Sequence, residues 1–211
     1  MTFRNLLRRN LKDEHGSFSV EAILMFPLLA WAFMAMFVFF EGLRESNIHL
    51  KSTYTVSDLL SREYDELVSM DQLNGMHAVY TWLSRSPQPV EMRVTVVRYD
   101  DHGDTDPDTG SHNLVWSRGI AGQVDLVQEE IASVITPHVP IMANASIAIV
   151  VETWATYVPL MDMGLQDTDI HNIVVTSPRF TGELMLEGMG DGTGDTHVDG
   201  TGDGEDTDVG T

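Results

Sequence analysis

The clearest pattern along the chain is a run from Ala22 to Phe40, 19 consecutive uncharged residues bounded by Glu21 and Glu41. Coiled as a helix at about 1.5 Å per residue, it spans roughly 28 Å, close to the thickness of a bilayer's hydrocarbon layer. Helices of soluble cores rarely stay apolar on every face for this long, so the run predicts a membrane helix over residues 17–41. Pro27 falls early in it, where a freed carbonyl and a small kink are tolerated. Beyond Glu41, the positions Leu43, Leu50 and Tyr54, then Val56, Leu59, Leu60, Tyr64 and Leu67, recur at three- and four-residue steps. That spacing predicts that the helix continues.

The next elements follow from period and punctuation. Asp71 stands as an N-cap before Leu73, Met76, Tyr80 and Leu83, a helical face that ends at Pro87 and Pro89. Residues 90–99 alternate as a strand does, with residues 112–117 as the hairpin partner. A third helix is predicted with Val124, Val127, Ile131 and Val134 facing inward, stopping before Pro137. Residues 145–157 read as the longest strand and residues 170–176 as the last. The plan is α+β: a long N-terminal membrane helix, then helices packed on a small antiparallel sheet over residues 42–187. From Gly188 onward the chain turns to Gly, Asp and Thr, with seven acids and no Lys or Arg. So little apolar surface cannot offset the entropy of ordering, which predicts a disordered acidic tail over residues 188–211.

Composition narrows the function. A length of 211 residues suits one domain with appendages. Twelve Lys and Arg against 32 Asp and Glu leave a net charge of −20, which argues against a nucleic-acid partner. The absence of Cys excludes disulfides, a thiolate nucleophile and Cys-based metal sites. Arg4, Arg8, Arg9 and Lys12 precede the apolar run, while Glu41, Arg44 and Glu45 follow it. The positive-inside bias then places the N-terminal segment in the cytoplasm and the long remainder across the membrane. A cleaved secretory signal shares this polarity. This apolar core is longer and more aromatic than such signals carry, and its small-x-small pair, Ala30 and Ala32, lies inside the run.

Immediately before the run stands His15-Gly16-Ser17-Phe18-Ser19-Val20-Glu21. A basic leader over residues 1–16 ending in Gly, with an acid at the fifth position after it, resembles the prepilin peptidase site of type IV pilin-like proteins. The string from Asp13 to Ala22, running into Pro27-Leu28-Leu29, resembles the TadE/TadF minor pseudopilins of tight-adherence (Flp) pilus systems. The resemblance covers residues 9–45. It extends less closely to residues 157–160 and 177–180, similar to that family's late strand and closing Arg-Pro-Arg-like stretch. Ala22 stands where the major Flp pilins usually carry Tyr, which favours a minor component. The resemblance implies cleavage between Gly16 and Ser17, and partners in a prepilin peptidase, other pilin-like subunits and an inner-membrane assembly platform. It further implies a single-pass protein of the bacterial inner membrane, its C-terminal domain periplasmic, with no catalysis of its own.

The residues support those expectations in physical terms. Gly16 lets an extended backbone enter a protease cleft without a side-chain clash. Cleavage there would create an α-amine on Ser17 and leave 8 basic against 30 acidic side chains, a net −22. Glu21 facing hydrocarbon costs on the order of a few kcal/mol unless a cation compensates. In a bundle of such helices a neighbour's amine is the natural partner, and the pairing would set axial register. The plainer reading has Glu21 at the headgroup boundary, simply ending the span.

Other candidates are weaker. Asp104, Asp106 and Asp108 have the alternate spacing that lets carboxylates converge on Ca²⁺, but a Gly directly after the third Asp and a Glu at the twelfth position are absent. The loop therefore reads first as a solvated hairpin tip, and no firm cofactor is expected. The eight His residues are scattered, and His77 reads as an ordinary half-buried side chain. Trp116 and Trp154 read as core, and Glu152 as a carboxylate solvated at a sheet edge. An alternative from another class is a permanently anchored periplasmic binding or cation-sensing module, which has no need of Gly16.

Overall fold

The computed structural model describes residues 17–102, 110–161 and 164–188. A single helix, α1 (Ser17–Ser61), runs unbroken through 45 residues with Pro27 inside it. The imide nitrogen of Pro27 cannot donate, so the Ile23 carbonyl one turn back loses its partner. Then come β1 (Leu67–Val68), α2 (Met70–Ser84), β2 (Glu91–Asp100) and β3 (Ser111–Ile120). The chain closes with α3 (Gln128–Val134), a 3₁₀ turn (Thr136–His138), β4 (Ile147–Tyr157), β5 (Thr168–Thr176) and β6 (Met185–Leu186). Four strands form one antiparallel sheet in the order β3-β2-β4-β5, and β1 pairs with β6 in parallel as a separate two-stranded ladder. The expected α+β plan is present, with the long apolar helix first.

The sheet is covered on both faces because β2 and β4 alternate two apolar sets. Met92, Val94 and Val96 with Ile149 and Val151 face α1 and α2, around Val56, Leu60, Leu73 and Tyr80. Val97, Ala148 and Val150 face the opposite side, where Leu126, Ile131, Ile135 and Val139 close over them. In the β2–β3 pairing Val96 opposes Trp116 while Val97 opposes Leu114, so Val115 is an extra residue, a bulge in β3.

Several boundaries differ from the sequence expectation for identifiable reasons. Helix α1 stops at Ser61 and does not run on to Leu67, because the chain tightens with Arg62 N–H and Glu63 N–H donating to the Leu59 and Leu60 carbonyls. The Arg179 N–H then caps the Ser61 carbonyl, and Phe180 stacks on Tyr64 at 4.4 Å. The N-cap of α2 is Ser69, not Asp71. Ser69 Oγ accepts from Gln72 N–H while the Gln72 side chain accepts from Ser69 N–H, a reciprocal box, and Asp71 sits in the first turn, where its charge suits the dipole. The third helix is only seven residues long, and Val124 and Val127 are exposed rather than inward. Leu126 takes the inward place because Ser117 Oγ accepts its N–H and fixes the turn before the helix.

The buried face of α1 is unusual in being mostly hydroxylic. His49, Ser52, Thr53, Val56, Ser57, Leu60 and Ser61 face the domain, whereas Leu43, Tyr54 and Leu59 are exposed. Ser52 and Thr53 each donate to the carbonyl four residues back, so they enter the interior already satisfied. Thr53 Oγ1 lies 2.7 Å from Thr153 Oγ1, and Ser57 Oγ lies 3.0 Å from Thr176 Oγ1. Short hydroxyl side chains bring the helix close to β4 and β5 and fix its register against them. Thr153→Val is expected to lower stability by about 1 kcal/mol. In denaturant unfolding of the full chain in detergent, a double-mutant cycle of Thr53→Val with Thr153→Val should show coupling. Strict additivity would mean that the hydroxyl pair contributes nothing.

Candidate functional site

The amino-terminal end of α1 carries the processing candidates. Gly16 lies outside the described residues, and so do Asp104, Asp106 and Asp108. Ser17 opens α1, and Glu21 is exposed one turn later.

From Phe18 to Phe37 the helix meets almost nothing of its own chain, and Val38, 3% exposed, is the first residue the domain covers. That free segment is about 30 Å long. It carries exposed Phe18, Phe26, Trp31 and Phe33, and its hydropathy window averages 2.4. An uncovered apolar surface of this extent is untenable in water. The helix is long and apolar enough to cross a membrane.

Where α1 joins the domain a cavity of 510 Å³ opens. Phe37, Val38, Glu41, Arg44, Glu45 and His49 form its helix side, and Ser86, Pro87 and residues 156–158 with Leu160 form the other. Gly42 allows the close approach behind it: a Cβ there would meet Leu165 Cδ2 at 3.1 Å and the Tyr157 ring at 3.3 Å. Arg44 Nη1 donates to Glu41 Oε1 at 2.9 Å. Burial raises the Glu45 carboxyl above its ordinary value; the Glu41 charge adds to the effect and Arg44 opposes it. Burial likewise raises the Tyr157 hydroxyl, reinforced by the charges of Glu41 and Glu45. At the inner end His49 Nδ1 lies 2.9 Å from the Tyr80 hydroxyl, and burial holds this imidazole below its ordinary 6.5.

A second polar group sits on the far face of the sheet and corrects the sequence reading of Glu152. This carboxylate is fully buried on the central strand β4, not solvated at an edge. Arg93 on β2 binds it through Nε and Nη2, both at 2.7 Å from Oε2, and His171 Nε2 lies 3.4 Å from Oε1. Trp154 is half-buried rather than core. Its ring lies between the Arg93 guanidinium, 5.0 Å from the centroid, and the His171 ring, stacked at 4.7 Å. Trp116 is a core residue as expected, its Nε1 donating to the Leu184 carbonyl. His77 is half-buried, with Nε2 at 2.9 Å from the Val90 carbonyl. Among the described residues no group of three or more His, Asp or Glu is placed to hold a metal.

Sequence reasoning did not find the junction cavity. Glu41, Arg44 and Glu45 after the apolar run were a legible signal, but Tyr157 and Leu160 reach them only through the fold. Removing one member of the buried pair, as in Arg93→Ala, strands the Glu152 charge and is expected to cost roughly 3–5 kcal/mol. An apolar double replacement, Arg93→Met with Glu152→Leu, should recover most of that loss in denaturant unfolding. The His49 imidazole takes up its proton at lower pH in the folded state than in the unfolded chain, and burial acts on His112 in the same direction. Stability should therefore be full above pH 6.5, the unfolded value, and fall as pH drops through the depressed folded values. His49→Gln should flatten that slope in thermal unfolding; an unchanged slope would assign it elsewhere. No protein-family model, curated protein or solved structure matches this chain.

Proposed function

We propose that this protein is a membrane-anchored minor pseudopilin of the TadE/TadF kind, acting in assembly of an Flp-type adhesive pilus. A prepilin peptidase trims it between Gly16 and Ser17, and α1 then anchors it in the bacterial inner membrane, with residues 42–187 in the periplasm. One observation carries the reading: a single rigid helix, Ser17–Ser61, is apolar and uncovered for its first half and packed on an α+β domain for its second. A helix so divided lets a subunit be held by the membrane at one end while its domain meets other subunits. On this reading Glu21, exposed near the start of that segment, pairs with a neighbour's α-amine and sets the stagger between helices.

Intact mass of the protein purified from its own membranes tests this. The expected mass lacks residues 1–16, with Ser17 at the new N-terminus, and Gly16→Leu should restore the full-length mass and stop pilus assembly. A full-length mass in cells with active peptidase would overturn the proposal and favour the permanently anchored binding or cation-sensing module.

A further inference from the structure

We propose that the cavity between α1 and the end of β4 seats the headgroup of an aminophospholipid, phosphatidylethanolamine, taken from the bilayer that α1 crosses. This rests on the membrane placement of α1 and is independent of the pilus reading.

The position of the cavity is the first argument. Its helix side starts at Phe37, inside the apolar run that ends at Phe40, and continues past Glu41 and Glu45 to His49. Phe37 to His49 covers about 18 Å along the axis, so the cavity straddles the level at which hydrocarbon gives way to headgroups. The opposite wall points the same way. Leu160, 82% exposed, stands on the cavity rim with half-exposed Val158, and Met161 beside them is exposed as well. Apolar side chains displayed there are unfavourable in water and favourable against the upper part of acyl chains.

Charge supplies the second argument. One guanidinium, Arg44, faces two carboxylates, Glu41 and Glu45, on the cavity wall. Two carboxylates against one guanidinium leave a local excess of negative charge on this wall, and burial first, with the Glu41 charge adding to it, displaces the Glu45 carboxyl and the Tyr157 hydroxyl upward. A primary ammonium relieves that excess and donates up to three hydrogen bonds, enough for both carboxylates. Arg44 Nη1 is engaged with Glu41, and the guanidinium fork has further N–H groups for a phosphate oxygen. Carboxylates for a cation, a guanidinium for an anion and an apolar rim are together the complement of phosphoethanolamine on its diacylglycerol. Phosphatidylglycerol brings no cation, and the quaternary ammonium of phosphatidylcholine has no N–H to donate.

The test uses the full chain reconstituted in vesicles of equal parts phosphatidylethanolamine, phosphatidylcholine and phosphatidylglycerol, then native mass spectrometry of the lipids retained. Wild type should keep phosphatidylethanolamine in preference to the other two. Glu41→Gln with Glu45→Gln should lose roughly tenfold of that preference, the equivalent of one charge-assisted hydrogen bond. Circular dichroism of the variant should match wild type, since both positions lie on the helix surface. Equal retention of the three lipids by wild type, or a preference that survives the double substitution in a folded variant, overturns the proposal. Alkaline extraction of the same vesicles separates the two failures. A chain that leaves the vesicles removes the membrane placement, and the lipid site with it; a chain that stays without lipid preference removes the lipid site alone.

Discussion

Everything in this molecule hangs on one helix whose two halves carry different surfaces. Over its first half α1 is apolar on every side, so no choice of face can bury it in a domain of this size. Over its second half it must lie against a sheet, where an equally apolar helix would have no reason to prefer one register to another. The chain resolves the conflict by changing the chemistry of the helix surface near Val38, where the domain first touches it. Because α1 continues without a break, the orientation of the domain relative to the apolar segment is fixed by helical geometry and by the contacts at the junction.

Those contacts are directional. Serine and threonine hydroxyls that already serve the helix backbone meet hydroxyls on β4 and β5, and His49 meets Tyr80 on α2. Burying such groups contributes little hydrophobic free energy, but mispairing them leaves buried polar atoms without partners, which is costly. The aliphatic cluster of Val56, Leu60, Leu73 and the inner sheet face supplies the burial, and the hydroxyls supply the register. On the opposite face the Arg93–Glu152 pair extends the same logic: an ion pair on the two central strands specifies how β2 lies on β4.

The junction cavity follows from this arrangement. Gly42 brings the helix against Tyr157 and Leu165, while Glu41, Arg44 and Glu45 stand where the apolar segment ends. The result is a concave, partly charged wall beside an exposed apolar rim, where the apolar segment of α1 gives way to the domain.

The sequence by itself determined the elements whose signal is local. The apolar run, the alternation of residues 90–99 and the proline stops after α2 each follow from period or backbone chemistry within a few residues. The α+β plan is legible in the same way. Tertiary structure alone decided which face of α1 is inside, because the exposed Leu43, Tyr54 and Leu59 are more apolar than the buried Ser52, Thr53 and Ser57. Hydrophobic periodicity cannot anticipate a buried face whose hydroxyls are satisfied by partners a hundred residues away. The same holds for Glu152, whose isolation in an apolar strand looked like an edge position until Arg93, on the neighbouring strand, was brought beside it. Strand pairing, which no local pattern encodes, turned a charge that seemed to need water into one that is neutralised inside the protein.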